Sequence, residues 1–91
     1  MEKRLKALFD GTVQGVGFRF TTERIARQFS VTGYVKNLPG GKVELLAEGE
    51  QTILEDFLKA VCESPMGNYI RDVETEWSEA GKNFQQFSIK S

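Results

Sequence analysis

This sequence has no histidine, a single cysteine and no long apolar run, and each absence excludes a class of protein. Without histidine, and with Cys62 alone, the chain lacks the usual metal ligand, a cysteine-based zinc cage and an internal disulfide. No apolar stretch approaches the ~18 to 20 residues of a membrane-spanning helix, and no apolar segment follows the charged first residues as in a secretory signal. We therefore expect a cytoplasmic protein with no metal, no cofactor and no membrane partner, in which Cys62 is a small buried apolar residue.

The sequence also has little net charge. Its 12 Lys and Arg against 13 Asp and Glu give a formal net charge of −1. A general nucleic-acid binder usually carries an excess of positive charge, so no nucleic-acid partner is expected. The charge is uneven along the chain, because residues 1–42 hold 8 Lys and Arg against 3 Asp and Glu, whereas residues 43–91 hold 4 against 10. This distribution is compatible with a local anion site.

Length and composition indicate one ordinary globular unit. A chain of 91 residues is the size of a single domain, with a core large enough to fold and little surplus for a second. The 40% hydrophobic and 27% charged residues are typical of globular proteins. No linker, internal repeat or low-complexity tract interrupts it. We predict one domain over residues 1–91, acting as a monomer.

Apolar periodicity predicts alternating strands and helices. Period-two spacing indicates strands over residues 5–13, 43–47 and 73–77. Residues 33–37 are rich in strand formers and indicate another strand, and Phe87 and Ile89 indicate a last short one. Helical spacing indicates one helix over residues 18–29 and another over 53–62. The second helix is expected to start with a capping box from Thr52 to Glu55 and to stop at Ser64-Pro65. Pro39-Gly40 suits the centre of a type II turn.

The order strand, helix, strand, strand, helix, strand predicts an α+β, ferredoxin-like β-α-β-β-α-β sandwich. Two helices are expected on one face of a mostly antiparallel sheet, with a short C-terminal strand in addition. Core packing is the expected role of the large apolar residues on the periodic faces: Phe9, Phe29, Ile53, Phe57 and Trp77.

The loop before the first helix, Val-Gln-Gly-Val-Gly-Phe-Arg at residues 13–19, contains the features of an anion site. Gly15 and Gly17 let consecutive backbone N–H groups turn inward, and the following helix offers its positive end. Such a concavity suits an oxyanion. Arg19 falls in the first helical turn, where a cation opposes the helix dipole, yet its planar guanidinium can hold two phosphate or carboxylate oxygens.

The residues alone leave a second interpretation of this loop open. Glycines between a strand and a helix often only turn the chain, and Arg19 can be a solvated surface residue. The known nucleotide loops do not match, because the chain has no G-x-x-x-x-G-K-[ST] and the segment from Gly15 to Phe20 lacks the last glycine of G-x-G-x-x-G.

Two segments resemble, in order and separation, the two signatures of the acylphosphatase family. The first is Gly11-Thr12-Val13-Gln14-Gly15-Val16-Gly17-Phe18-Arg19, and the second is Gly33-Tyr34-Val35-Lys36-Asn37, followed by Gly41, Val43 and Gly49. The resemblance covers about residues 4–89, and the family's fold agrees with the predicted order of elements. Departures lie outside the signatures: the Lys90-Ser91 tail, and the lack of the disulfide that some members carry.

The resemblance implies a stand-alone acylphosphatase, which hydrolyses an acyl phosphate to a carboxylate and inorganic phosphate. Asn37 would orient the attacking water, and Arg19 would bind the phosphoryl oxygens. The backbone amides implied to bind them with it are those of Gln14, Gly15, Val16, Gly17, Phe18 and Arg19. A carboxylate leaving group with a pKa of ~4 departs without a strong general acid. An arginine and fixed amides can stabilise phosphoryl charge without a metal.

Other hypotheses remain to be distinguished. Asn37 can instead be a turn residue whose side chain bonds the backbone before Leu38-Pro39-Gly40; as a site residue, its neutral amide would donate to the phosphoryl group and accept from water. An RNA-recognition domain is disfavoured because residues 42–48 lack a basic and aromatic pattern. A non-catalytic acylphosphatase-like module for anion binding or regulation would keep the same residues, so only activity separates it from a hydrolase of small acyl phosphates.

Overall fold

The computed structural model describes all 91 residues and confirms the predicted order of helices and strands. Neither helix is long and apolar enough to cross a membrane. The elements are β1 (Glu2–Gly11), α1 (Phe18–Ala26), β2 (Thr32–Asn37), β3 (Val43–Glu50), α2 (Gln51–Glu63), a short 3₁₀ helix (Pro65–Tyr69), β4 (Ile70–Glu79) and β5 (Phe87–Lys90).

The five strands form one sheet in the order β4-β1-β3-β2-β5. All neighbours are antiparallel except β2 and β5, which run parallel. Leu5, Ala7 and Phe9 alternate with less buried residues along β1, as period-two spacing requires, and α1 and α2 cover this buried face. The α+β, ferredoxin-like prediction, with two helices on one face and a short last strand, is confirmed.

The predicted end of α1 was wrong by three residues, although its buried face was correct. The helix ends at Ala26 because Gln28 and Phe29 donate backbone hydrogen bonds to Ile25 and Ala26, three residues back, which tightens the last turn. Phe29 nevertheless packs against the core, with its ring centroid 5.7 Å from that of Phe57. The predicted strand over 5–13 is likewise shifted, because β1 ends at Gly11, where its pairing with β4 is irregular.

The capping box predicted at Thr52 was also wrong. Glu50 is the N-cap of α2, and no side chain caps this end of the helix. Since β3 remains paired with β1 through Glu50, the chain passes directly from strand to helix, and sheet pairing sets the boundary. The predicted stop at Ser64-Pro65 is confirmed, and the hydroxyl of Ser64 accepts from Met66 N at 3.2 Å to begin the unpredicted 3₁₀ helix.

Two residues expected in the core are exposed. Trp77 keeps 39% of its surface accessible because it lies on β4, an edge strand, whereas α1 and α2 pack mainly against the four other strands. Cys62 is exposed because it follows Val61, the last buried residue of α2, and so turns away from the core. Phe9 and Phe57 are fully buried, and Ile53 is partly buried against the core.

Glu48 attaches the segment between β4 and β5 to the sheet. Its side chain is 2% exposed and accepts hydrogen bonds from Arg4 Nε at 2.8 Å and from the backbone N–H groups of Gly81 and Lys82, both at 2.9 Å. Burial alone would raise the pKa of this carboxyl, but the Gly81, Arg4 and Lys82 donors outweigh burial and lower the pKa below its ordinary value of 4.5. The ionised carboxylate therefore stabilises the fold.

Replacing Glu48 by Gln should lower the free energy of unfolding at pH 7 by about 2 kcal/mol. The amide carries no charge, and its NH₂ group cannot accept the hydrogen bonds that the carboxylate accepts. A depressed folded pKa stabilises the fold above the unfolded pKa, and this stability is lost as pH falls through the folded pKa. The difference in the free energy of unfolding between wild type and Glu48→Gln should thus be constant above pH ~5 and disappear in more acidic solution.

Urea unfolding at a series of pH values measures this gap. Glu76→Gln is the matched control, because Glu76 is exposed and makes no ion pair. A gap that persists undiminished at pH 3, or an equal loss in the control, would contradict the assignment.

Candidate active site

The loop between β1 and α1 forms one wall of a pocket of about 390 Å³ at the end of the sheet. The sheet contributes to the pocket where β2 ends and where β5 runs beside it. The pocket is lined by Val13, Gly15, Gly17, Phe18, Arg19, Phe20, Asn37 and Ile89. Segments that are distant in sequence, from residue 13 to residue 89, thus meet around Arg19.

The backbone of the loop leaves its N–H groups unused. Gly15 and Gly17 have φ values of +80° and +82°, in the left-handed region that glycine adopts without strain, and Gly17 is the N-cap of α1. None of the backbone N–H groups of residues 14–19 donates to a backbone or side-chain acceptor of the protein. Consecutive free N–H groups at a helix N-terminus are the donors that bind oxyanions.

Arg19 is held at the pocket without being neutralised. Its Nη1 donates to the backbone carbonyl of Lys90 at 3.1 Å, which attaches the side chain to β5. Arg19 takes part in none of the ion pairs of the chain. The first turn of α1 contains no acidic residue, and no carboxylate lines the pocket. The guanidinium charge therefore remains available to an anion.

Asn37 reaches the same pocket from the sheet. It is the last residue of β2, directly before a turn in which Gly41 N donates to Leu38 O at 3.3 Å and Gly40 has a φ of +95°. This geometry confirms the predicted type II turn. The alternative role of Asn37, a side chain bonded to the turn backbone, is wrong, because no side-chain hydrogen bond involves Asn37.

Gln14 has a function that the sequence did not indicate. Its side-chain Nε2 donates to Leu38 O at 2.9 Å and to Lys42 O at 2.8 Å, and so connects the loop to the turn that follows Asn37. These two hydrogen bonds to the turn fix the distance between the two halves of the pocket. No local pattern in the sequence signals such a bond, because side-chain amides are common in loops.

Among the predicted site residues, Gly15, Gly17, Phe18, Arg19 and Asn37 line the pocket. The side chains of Gln14 and Val16 do not, and Val16 instead packs against the core. For these two residues the prediction concerned only the backbone N–H groups. Sequence reasoning missed the apolar wall, to which Val13, Phe20 and Ile89 contribute.

Titratable groups elsewhere in the sheet are engaged in structural contacts. Tyr34 lies outside the pocket and donates its hydroxyl to Glu44 at 2.9 Å; burial, aided by this bond, raises the pKa of Tyr34. The Asp10 carboxyl accepts a hydrogen bond from Arg71, which lowers the pKa of Asp10. No group of three or more Cys, Asp or Glu side chains is arranged to hold a metal ion.

Known proteins resemble this chain in sequence and in fold. The acylphosphatase family model matches residues 5–89. An acylphosphatase of Salinibacter ruber is 44% identical over 89 residues, which cover 98% of this chain and 94% of the relative. One from Archaeoglobus fulgidus is 44% identical over 85 residues, 93% of this chain and 94% of the relative. The crystal structure of acylphosphatase from Bacillus subtilis has a TM-score of 0.87 at 33% identity, and 98% of this chain and 99% of that one are covered.

The fold and the pocket define a small α+β protein in which a loop with free backbone N–H groups lies beside an unpaired arginine. Together with the family match and the full-length relatives, they show that the chain belongs to the acylphosphatase family. The resemblance of the two signatures and the hydrolase class that they predicted are confirmed.

Proposed function

We propose that this protein hydrolyses acyl phosphates at the pocket formed by the loop, Arg19 and Asn37. The observation that carries the proposal is that free backbone N–H groups, an unpaired guanidinium and an unbonded amide line one pocket without any carboxylate. The family and the names of the relatives support the same activity.

In this proposal the backbone N–H groups of residues 14–19 and the Arg19 guanidinium hold the phosphoryl oxygens. Charge on these oxygens is what catalysts of phosphoryl transfer must stabilise, and preorganised donors achieve it without reorganising during the reaction. The bond from Arg19 to Lys90 O and the bonds from Gln14 to the turn keep the donors in place before substrate arrives. These contacts favour a site formed in advance.

The Asn37 amide orients the water that attacks phosphorus. As the water oxygen bonds to phosphorus, the bond from phosphorus to the carboxyl oxygen breaks, and its electron pair leaves with the carboxylate. The proton of the water passes to a phosphate oxygen, so the products are a carboxylate and dihydrogen phosphate. With a leaving-group pKa of ~4, no protein acid has to protonate the departing oxygen.

Phosphate release from benzoyl phosphate in the presence of a metal chelator tests the activity. We expect hydrolysis well above the rate in buffer and inhibition by inorganic phosphate. A rate equal to that in buffer, with phosphate still bound, would instead support a non-catalytic anion-binding module. Sedimentation of the purified protein tests the proposed monomer. Comparing the hydrolysis rate with and without chelator tests the proposed independence of metals.

Replacing Asn37 by Ala should lower kcat about 100-fold, with a smaller change in KM, because a group that orients water acts mainly in the transition state. Stability should change little, since the Asn37 side chain bonds no protein group. The kinetic constants for benzoyl phosphate and the urea unfolding curve of the variant measure both effects.

Asn37→Asp is the matched control for charge. A carboxylate of the same size should be at least as damaging as alanine, because it repels the anionic substrate. Full activity in Asn37→Ala would remove the residue from the mechanism.

A further inference from the structure

Phe20 is the most exposed aromatic side chain of the protein. It is 70% exposed, whereas Tyr69 and Trp77, the other large aromatic residues on the surface, are each 39% exposed. It lies in the first turn of α1, directly after Arg19. With so little of its surface buried, its packing contributes little to folding, so stability does not explain an aromatic residue at this position.

Phe20 also lines the pocket that contains Arg19 and Asn37. The other apolar residues of this wall are already engaged, since Val13 and Phe18 are buried in the core and Ile89 packs against it. Phe20 is therefore the one apolar wall residue with most of its surface free to contact a ligand. A pocket for inorganic phosphate alone would need no such surface.

The chemistry of an acyl phosphate gives this surface a role. Once the phosphoryl group lies against the N–H groups of the loop, the bridging oxygen and the acyl group must extend away from the loop toward the open side of the pocket. Phe20 lines the pocket and has most of its surface exposed, so it is free to contact a group that extends out of the pocket. An aromatic face binds a second ring or a branched chain better than it binds a methyl group.

We propose that Phe20 forms an acyl-binding subsite, so that the protein prefers acyl phosphates with aromatic or branched apolar acyl groups over acetyl phosphate. This inference rests on the proposed function, since it assigns the second half of the substrate to the same pocket. The phosphoryl half is bound by the loop and Arg19, and Phe20 sets the specificity for the acyl half.

The test compares kcat/KM of wild type and Phe20→Ala for benzoyl phosphate and for acetyl phosphate. Loss of about 50 to 60 Å² of apolar contact corresponds to about a tenfold change in affinity. We expect Phe20→Ala to lower kcat/KM for benzoyl phosphate about tenfold, to leave acetyl phosphate within about twofold, and to leave inhibition by inorganic phosphate unchanged. Phe20→Leu should recover part of the loss.

Trp77→Ala is the matched control, because Trp77 is a surface aromatic residue outside the pocket and should alter neither substrate. Equal losses on both substrates in Phe20→Ala, or no loss on benzoyl phosphate, would overturn the subsite.

A binding measurement separates this inference from the proposed function. Calorimetric titration with benzylphosphonate and methylphosphonate requires no turnover. Wild type should bind the benzyl compound more tightly, and Phe20→Ala should lose that advantage. If the wild-type protein hydrolyses neither substrate but binds benzylphosphonate more tightly than methylphosphonate, the subsite is supported and the proposed hydrolysis is wrong. Equal binding of both phosphonates overturns the subsite even in an active enzyme.

Discussion

Arg19→Gln is expected to lower kcat/KM for benzoyl phosphate about 1000-fold or more, because the variant loses the only cation that lines the pocket. The effect should appear in kcat and also as weaker inhibition by inorganic phosphate, since the guanidinium contacts the phosphoryl oxygens in the bound and the transition states. Steady-state phosphate release with and without added phosphate measures both.

The stability of Arg19→Gln should stay close to that of wild type. Arg19 makes one hydrogen bond to the protein, to Lys90 O, and losing such a bond costs about 1 kcal/mol. Against this, removing a cation from the first turn of α1 relieves an unfavourable interaction with the helix dipole of about 0.3 to 1 kcal/mol. The two effects oppose each other, so the activity loss can be separated from unfolding by a denaturation curve.

Arg19→Lys is the matched control for charge. It keeps one positive charge but loses the planar fork that holds two oxygens at once, so we expect activity between those of Arg19→Gln and wild type. Full activity in Arg19→Gln would show that the loop amides suffice and that the guanidinium is not part of the catalyst. Equal losses in both variants would assign the effect to the fork geometry and not to charge.

Gly33→Ala is expected to destabilise the protein by more than about 3 kcal/mol, a large part of the ~5 to 15 kcal/mol typical of a domain. Gly33 lies in β2 with a φ of +134°, and a Cβ added there would lie 1.9 Å from the carbonyl oxygen of Leu46 in β3. That contact is with backbone, so it cannot be relieved by turning a side chain. Since β2 pairs with both β3 and β5, the shift would disturb two strand pairs.

Gly40→Ala provides the comparison that isolates the steric clash. Gly40 also has a positive φ, +95°, but apart from its two chain neighbours no residue has an atom within 4 Å of a Cβ built there. It should lose only the ~1 to 2 kcal/mol that a left-handed conformation costs a non-glycine residue. Urea unfolding followed by circular dichroism measures the stability of both variants. Equal stability losses would show that backbone conformation, and not the contact with β3, causes the loss in Gly33→Ala.

Much of the fold could be predicted because its signals are local. Alternating apolar residues predicted β1, and the four-three spacing beginning at Phe18 predicted the buried face of α1. The element boundaries had no such local signal where pairing between strands sets them. The end of β3 at Glu50 and the start of α2 follow from pairing with β1, which a capping pattern at Thr52 does not reveal.

The prediction of the candidate site used both local sequence patterns and the resemblance to the two family signatures. Gly15, Gly17 and Arg19 are adjacent, so their sequence suggested an anion loop by itself, although only the match to two family signatures connected that loop with Asn37. The bonds from Gln14 to the turn after Asn37, and the apolar wall at Phe20, had no local signal, since each depends on which segments the sheet brings together.

The sequence by itself determined the order of the elements, the loop with free N–H groups and the absence of histidine chemistry, because periodicity, glycine and residue type act over a few neighbouring positions. Only the tertiary structure decided which residues meet and which remain exposed. Trp77 has the alternation of a core residue but lies on β4, an edge strand outside the main contacts of the two helices. Asn37 and Arg19 share a pocket because β2 ends beside the start of α1, and that proximity is set by packing of the whole sheet against the two helices.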